Sequence, residues 1–461
     1  MRSLCVCLIL SCLLVACQRQ EKVVYAPLGP VPPEPQRPGD PQKGREALLN
    51  EPYITCGLPL SVYRRLAPPV PPQQRLPERR GLNAQLPYHR THYRTPDGVD
   101  LVVPNCLQCH ASVINGRLII GLGNERLDFT RDPRPMLESA GLYLSDPGEV
   151  AHWRKWVKIL DAVAPYLMTD TVGVNPATNL TLALMAHRDP DTLAWSDRPR
   201  MEPPRRPLPV SVPPWWRLAK KNALYYNAEG RGDQARAMMV GAILCADDVA
   251  TLERIDRYAP DIRAFFASLK PPKFPWPVDA ELAAQGREVF ERRCSSCHGT
   301  YGDRPTYPNL VVGLAQVGTD PLLARTATDG SSDRFIRWFN RSFFGRLSRA
   351  QPAPGYMPPP LDGIWATAPF LHNGSVPTLA ALLDSSKRPR YWRYVGERYD
   401  SERIGWSFES LPYGKAGAKD AEERRHIYDT TLPGYGNQGH TFGDALSETQ
   451  RRALLEYLKT L

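Results

Sequence analysis

Two CxxCH pentapeptides, an amphipathic stretch on either side of the second, and 48 prolines in 461 residues predict a mainly α, loop-rich chain. It would comprise two cytochrome-c-like haem domains behind a Pro-rich N-terminal tether. The pentapeptides are Cys106-Leu107-Gln108-Cys109-His110 and Cys294-Ser295-Ser296-Cys297-His298. In each, two thiols can add across the vinyl groups of one haem while the adjoining His takes the iron. Two covalently bound haem c groups are expected. Zinc is disfavoured, because no second CxxC or His pair lies near either motif. Proline-rich loops suit such a chain, since a porphyrin fills core volume that apolar side chains would otherwise occupy.

Residues 1–16 read as a lipoprotein signal peptide. Arg2 supplies the positive start, and Leu4 to Ala16 form an apolar run too short to span a bilayer. The run ends in Leu14-Val15-Ala16-Cys17, a lipobox pattern that would leave Cys17 as a lipidated amino terminus. Gln18 behind it points to the outer membrane, so a periplasmic, lipid-anchored protein is expected; soluble release after an ordinary secretory signal is the alternative. Of ten Cys, Cys5, Cys7 and Cys12 leave with the signal, Cys17 takes lipid and four hold haem. Cys56 and Cys245 remain, either as a disulfide in an oxidising compartment or as two separate buried thiols.

Residues 17–80 read as an extended tether, with Pro27, Pro30, Pro32, Pro33, Pro35, Pro38 and Pro41 favouring polyproline II. Residues 81–270 form the N-terminal haem domain. No helix is expected to lead into its motif, because Tyr93 to Val103 includes Pro96 and Gly98 and Pro104 follows. Arg117 to Ile120 and Gly121-Leu122-Gly123 suggest a short strand and tight loop. His110 is the proximal ligand. His89, His92, His152 and His187 are available for its far side, but none sits in a ligand motif. Pro271 to Pro277 is the hinge.

Residues 275–461 form the C-terminal domain. An amphipathic helix over 280–293 leads into the second motif, with Gly286 and Phe290 one turn apart. It would cross a closing helix that begins with a Ser447/Gln450 capping box and presents Leu454, Leu455, Tyr457, Leu458 and Leu461. Pro305 or Pro308 would offer a carbonyl to the Nδ1–H of His298. Candidates for its sixth ligand are Met357, His372 and His440.

The run Leu361-Asp362-Gly363-Ile364-Trp365-Ala366-Thr367-Ala368-Pro369-Phe370-Leu371-His372-Asn373-Gly374 resembles the signature of the bacterial di-haem cytochrome c peroxidase superfamily. Within it, the rubber-oxygenase-like branch is the nearer likeness, also at Gly121-Leu122-Gly123-Asn124, Pro213-Pro214-Trp215-Trp216 with Lys220-Lys221, and Gly439-His440. In the peroxidases, the His matching His372 lies behind the ligand, and an axial Met or Tyr follows about one helix later. Residues 373–390 hold no Met, Tyr or His. The rubber oxygenases use a distal His toward the C-terminus, so the resemblance favours His440, with Met357 or an open site as alternatives. It also implies an open face on the His110 haem and a Trp between the haems. Trp215, Trp216 and His372 are the candidates for a catalytic role, with Trp276 a weaker bridge.

The net charge of +10 is spread over scattered arginines. It fits haem propionates, lipid headgroups or an acidic redox partner, and nucleic acid is not an expected partner of an exported haem protein. The functional expectation is a di-haem oxidoreductase. Its N-terminal haem would react with oxygen or peroxide, and its C-terminal haem would relay electrons from a redox partner protein or to a small oxidant. The alternative is a non-enzymatic electron-transfer lipoprotein with two six-coordinate haems. Polyisoprene as a substrate rests on family likeness alone.

Overall fold

The computed structural model describes residues 22–461, so the signal peptide and Cys17 lie outside the described residues. Helix accounts for 40% and strand for 14% of the chain, the strands being gathered in several small sheets. This corrects the mainly α expectation. The physical reason is that short hairpins, not helices, carry much of the chain around the first motif and after the second. One three-stranded sheet joins Leu58–Pro59, Asp100–Pro104 and Arg90–Arg94 beside the first motif. Another joins Gly405–Ser410, Tyr391–Asp400 and Tyr428–Asp429 in the C-terminal half. Neither belongs to a plain pair of helical cytochrome domains.

The tether is the second correction. The Pro-rich stretch is extended as far as Asp40, as its composition dictates, but it is bound to the rest of the chain, and the helices Pro41–Asn50 and Leu60–Leu66 replace the extended backbone expected after it. Gly29–Pro30 pairs antiparallel with the Leu310–Gly313 strand; proline tolerates this position because edge strands need not donate on both sides. Arg37 forks onto Asp256 at 2.7 and 2.8 Å and reaches Asp233 at 3.0 Å. Asp40 caps the helix Pro41–Asn50, which packs on the helix Ala259–Ser268. A Cβ on Gly44 would lie 1.9 Å from the Asp261 carbonyl, so that close crossing requires glycine. Cys56 and Cys245 form a disulfide with a Cα–Cα distance of 5.5 Å, closing a loop of 189 residues that strongly restricts the unfolded chain.

Two apolar cores hold the two motifs. The first gathers Leu107, Ala111, Trp215 and Phe266 around the N-terminal motif and draws in Phe335, Trp338 and Phe344 from beyond the hinge. The second gathers Phe290, Trp365, Leu454 and Leu458 and takes Ile114, Leu122 and Trp216 from the N-terminal half. Each half therefore completes the other's core. The helix Ala280–Arg293 starts at an Asp279 cap. It crosses the closing helix Glu448–Lys459, whose Ser447/Gln450 capping box is formed in both directions. Among the described residues no helix is long and apolar enough to cross a membrane.

Candidate haem sites

The helix Ala280–Arg293 ends at Cys294, and a further turn, Ser295–His298, brings His298 under the motif through an N–H bond to the Cys294 carbonyl of 3.0 Å. Cys294 and Cys297 are free, partly accessible thiols. The His298 Nδ1 hydrogen-bonds the Pro359 carbonyl at 2.8 Å. That replaces the expected Pro305 or Pro308: the carbonyl comes from a run 61 residues away. Tyr301 and Tyr307 lace the same run to the motif, Tyr307 donating to the Pro358 carbonyl and the Leu361 N–H donating to the Tyr301 hydroxyl. With Nδ1 engaged, Nε2 of His298 is the nitrogen left to ligate. Burial pushes the imidazole pKa down to about 4, keeping it in the neutral, metal-binding form.

His440 faces this ring. The two ring centres lie 6.2 Å apart with planes at 62°. Two imidazoles on opposite sides of one metal, with nitrogen–metal bonds of about 2 Å, place their centres about 6 Å apart. The loop that carries His440 is pinned at both ends. The His440 N–H donates to the Val317 carbonyl at 2.7 Å, and both Gly439 (φ 73°) and His440 (φ 46°) adopt left-handed backbone. A Cβ on Gly439 would lie 2.0 Å from the Gly318 backbone. Arg388 clamps the loop by donating to the carbonyls of Asn437, Gly439 and His440 at 2.7, 2.6 and 3.0 Å, and to Ala381 and Leu382 behind it. Burial pushes the His440 pKa down to about 3, with the neighbouring His298 and Arg388 adding to the shift. Its Nδ1 is buried without a partner.

Met357 sits elsewhere. It is 1% exposed in an apolar cluster with Ala26, Val31, Val311 and Ala353. His372 stacks on Tyr356 with ring centres 4.2 Å apart, and burial drops its pKa to about 3. Its carbonyl accepts the Ser211 N–H at 2.8 Å, tying the two halves together.

The first motif forms a 3-10 turn, Cys106–Gln108, capped by Asn105. A hairpin of Ala111–Ile114 and Arg117–Ile120 follows, turning at Asn115-Gly116. It returns Gly121 to donate to the His110 carbonyl at 2.8 Å, and Asn124 to donate to that of Cys109 at 2.9 Å. Burial lowers the His110 pKa to about 4. Its Nδ1 is buried, and the Pro213 carbonyl faces it without completing a hydrogen bond. The tandem tryptophans divide between the cores. Trp215 stacks on His110 with centres 4.8 Å apart and on Phe266 at 3.6 Å. Trp216 turns to the second core, where its Nε1 donates to the Asp362 carbonyl at 2.8 Å. Gly363 leaves room for that indole, since a Cβ there would lie 3.1 Å from Nε1. Lys220 pairs with the Asp362 carboxylate at 2.8 Å. Trp276 packs in the second core, stacked on Tyr399 at 5.2 Å.

Three other histidines of the first half have partners of their own, while His89 lies beside the motif, its carbonyl accepting the N–H of Asn105 at 3.4 Å. His92 pairs with Asp100 at 2.8 Å, His152 with Asp97 at 3.0 Å, and the His187 Nδ1 bonds the Ser196 carbonyl at 2.8 Å. The His89 ring meets Tyr88 edge-on.

One group near the first motif was not expected from sequence. Glu125, 7% exposed, accepts from the Ser211 hydroxyl at 2.8 Å and the Val212 N–H at 2.6 Å. Burial raises its pKa from 4.5 to about 7, against those two hydrogen bonds. An isolated Glu after a Gly-rich turn carries no sequence signal, because the burial comes from Pro-rich residues nearly ninety positions away. The folded state holds the proton more tightly than the unfolded, so stability is full below about pH 4.5, falls between 4.5 and about 7, and stays low above. At about 1.4 kcal/mol per pKa unit the loss is on the order of 3 kcal/mol. Glu125→Gln keeps an acceptor for both donors and cannot ionise. Its thermal midpoint should exceed that of the native protein at pH 8 and match it near pH 4.5; equal midpoints at both would remove Glu125 from the pH dependence.

The four free CxxCH thiols, the buried neutral imidazoles beside them and the His298/His440 spacing all fit covalent haem. Among the described residues no cluster of three or more His, Cys, Asp or Glu side chains offers a competing metal cage. A family model described as RoxA-like, cytochrome c-like matches residues 355–393. That segment supplies the Pro359 carbonyl, the His372 stack and the Arg388 clamp. Among curated proteins, the chain is 30% identical over 261 residues to the uncharacterized protein y4iJ of Sinorhizobium fredii (strain NBRC 101917 / NGR234), covering 42% of each. It is 28% identical over 238 residues to the uncharacterized protein y4iM of the same organism, covering 42% of this chain and 52% of that one. The chain thus spans about half the length of these relatives. The matched segment supports a RoxA-related cytochrome family, and with it a haem-binding role and covalently attached haem c.

Proposed function

We propose that the chain is a di-haem c-type oxidoreductase of the di-haem peroxidase type, nearest the rubber-oxygenase-like branch, with unequal haems. The carrying observation is the asymmetry of the histidines. His298 faces His440 across 6.2 Å, whereas the ring beside His110 is Trp215. Of the nine His in the chain, five of the six outside these three are stacked or paired elsewhere, including His426 with Glu422, and His89, beside the first motif, meets its chain neighbour Tyr88 edge-on. A bound haem supplies an iron that exchanges one electron and, where a coordination position is open, accepts a small ligand.

On this reading His440 and His298 close the second site for electron relay, while His110 leaves the first site open to oxygen or peroxide. Trp215, stacked on His110, and Trp216, bonded at Asp362, form adjacent aromatic steps between the two sites. A lipid anchor at Cys17 would hold the protein at the periplasmic face of the outer membrane, where a redox partner protein or a small oxidant completes the circuit.

Mass spectrometry of the denatured protein should show two added haems. Carbon monoxide and cyanide should then perturb half of the haem absorbance. One added haem would end the di-haem reading. Two haems inert to both ligands would make the protein an electron carrier.

A further inference from the structure

The turn that begins with the tandem tryptophans, Trp215–Lys220, carries two cations to the second site, and they are answered very differently. Lys220 pairs with both oxygens of the Asp362 carboxylate at 2.8 Å and lies 4.6 Å over the Tyr301 ring. Arg217 is 6% exposed, yet it meets only neutral oxygens among the described residues. Its Nε donates to the Asp362 carbonyl and its Nη2 to the Thr367 hydroxyl, both at 3.3 Å, beyond the ordinary range for such bonds. That carbonyl already accepts the Trp216 Nε1 at 2.8 Å. Nη1 of Arg217 has no partner among the described residues.

A guanidinium stays charged, and a buried charge without a counter-charge is strongly unfavourable. Two arginines as deeply buried show the usual remedies. Arg236 forks onto the Asp256 carboxylate at 2.7 and 3.1 Å. Arg79 donates to four oxygens at 2.5 to 3.2 Å. Arg217 has neither a carboxylate nor a full set of acceptors.

Its surroundings name the missing anion. Asp362 lies three residues after Pro359, whose carbonyl holds the His298 Nδ1 at 2.8 Å. Between them, the Leu361 N–H donates to the Tyr301 hydroxyl, which donates to the His298 carbonyl at 3.2 Å. Arg217 therefore abuts the strap that holds the proximal His of the second motif. A haem on Cys294 and Cys297 would bring its propionate carboxylates into this core, and a planar fork with an open N–H is matched to a carboxylate.

We infer that Arg217 is the counter-cation and hydrogen-bond donor for a propionate of the haem on the second motif. The inference rests on haem attachment at Cys294 and Cys297. A cation there cancels a negative charge that would otherwise favour ferric iron, so it holds that haem's potential up.

The test uses the full holoprotein, titrated potentiometrically with electron spin resonance to separate the low-spin from the high-spin haem. Arg217→Gln should lower the reduction equilibrium constant of the low-spin haem about tenfold, the effect of one charge at an effective dielectric of about 20. For one electron that is about 59 mV. The propionate bending mode in its resonance Raman spectrum should move to lower frequency. Arg217→Lys keeps the charge without the fork, so the mode should move while most of the potential is kept. If Arg217→Gln does not assemble, Arg217→Lys decides alone, and an unmoved mode overturns the assignment. A fall in potential without a change in the mode would make Arg217 a distant charge and overturn the contact. A change confined to the high-spin haem would move the cation to the His110 site and overturn the assignment to the second. Native protein without haem on Cys294 and Cys297 would end the di-haem reading and the assignment with it.

Discussion

His440→Ala is expected to leave both haems attached and convert the His298 haem from low spin to high spin, with a large change in its potential. The thioether bonds depend on Cys294 and Cys297, and His298 keeps its ring orientation through Pro359. The loop also keeps its course, because Val317 and Arg388 hold the backbone of residue 440 and not its imidazole. Only the opposing ring is lost. Axial-ligand identity is a principal control of haem potential, so the effect should dominate a potentiometric titration. Added imidazole should restore the low-spin spectrum. Met357→Leu conserves volume in a cluster apart from the motif, so about 1 kcal/mol of stability or less is at stake and the spectrum should not move. A sulfur-to-iron charge-transfer band lost in Met357→Leu, with His440→Ala unchanged, would reverse the assignment.

What could be read from the sequence was what depends on local spacing. The two pentapeptides, the amphipathic stretch over 280–293, the Ser447 helix start and the Gly286/Phe290 face are all local patterns, and the helices formed where those patterns lie. The absence of a helix before the first motif was legible for the same reason, from Pro96, Gly98 and Pro104. What failed depends on partners distant in the chain. Proline composition described the extended backbone up to Asp40, but not the helices Pro41–Asn50 and Leu60–Leu66 inside the expected tether, nor the strand at Leu310–Gly313 and the Asp256 carboxylate that bind it. The carbonyl for His298 came from Pro359 and not from the nearer prolines, because the 356–361 run folds back over the motif. Two hairpin signals went beyond the helical expectation. Asn115-Gly116 is a strong two-residue turn signal between short apolar runs, and the β-rich run from Tyr391 to Tyr394 begins a strand. Glu125 shows the limit most clearly, as one residue of common type whose meaning comes entirely from the burial around it.

Gly286→Ala offers a test of the helix crossing in which the sign alone decides. In an isolated helix interior, replacing Gly by Ala stabilises by about 1 kcal/mol. Here a Cβ at 286 would lie 1.9 Å from the Ala453 carbonyl and 2.9 Å from the Tyr457 Cβ. The first of these is backbone of the closing helix, which cannot rotate aside as a side chain can. The two helices must separate, and Phe290, Leu454, Tyr457 and Leu458 lose part of their mutual burial. Overpacking of this kind costs about 1–3 kcal/mol, and partial exposure of even one large apolar side chain adds about 1 kcal/mol more. After the gain in helix propensity is set against these costs, the expected outcome is a net destabilisation of about 1–3 kcal/mol, seen as a lower calorimetric midpoint. The helix Ala280–Arg293 also delivers Cys294 and His298 to the second site. The same variant should therefore broaden the spectrum of the His298 haem while leaving the His110 haem unchanged. An unchanged or raised midpoint would mean that the helices do not cross at Gly286, and that the second motif is held by something other than this pair.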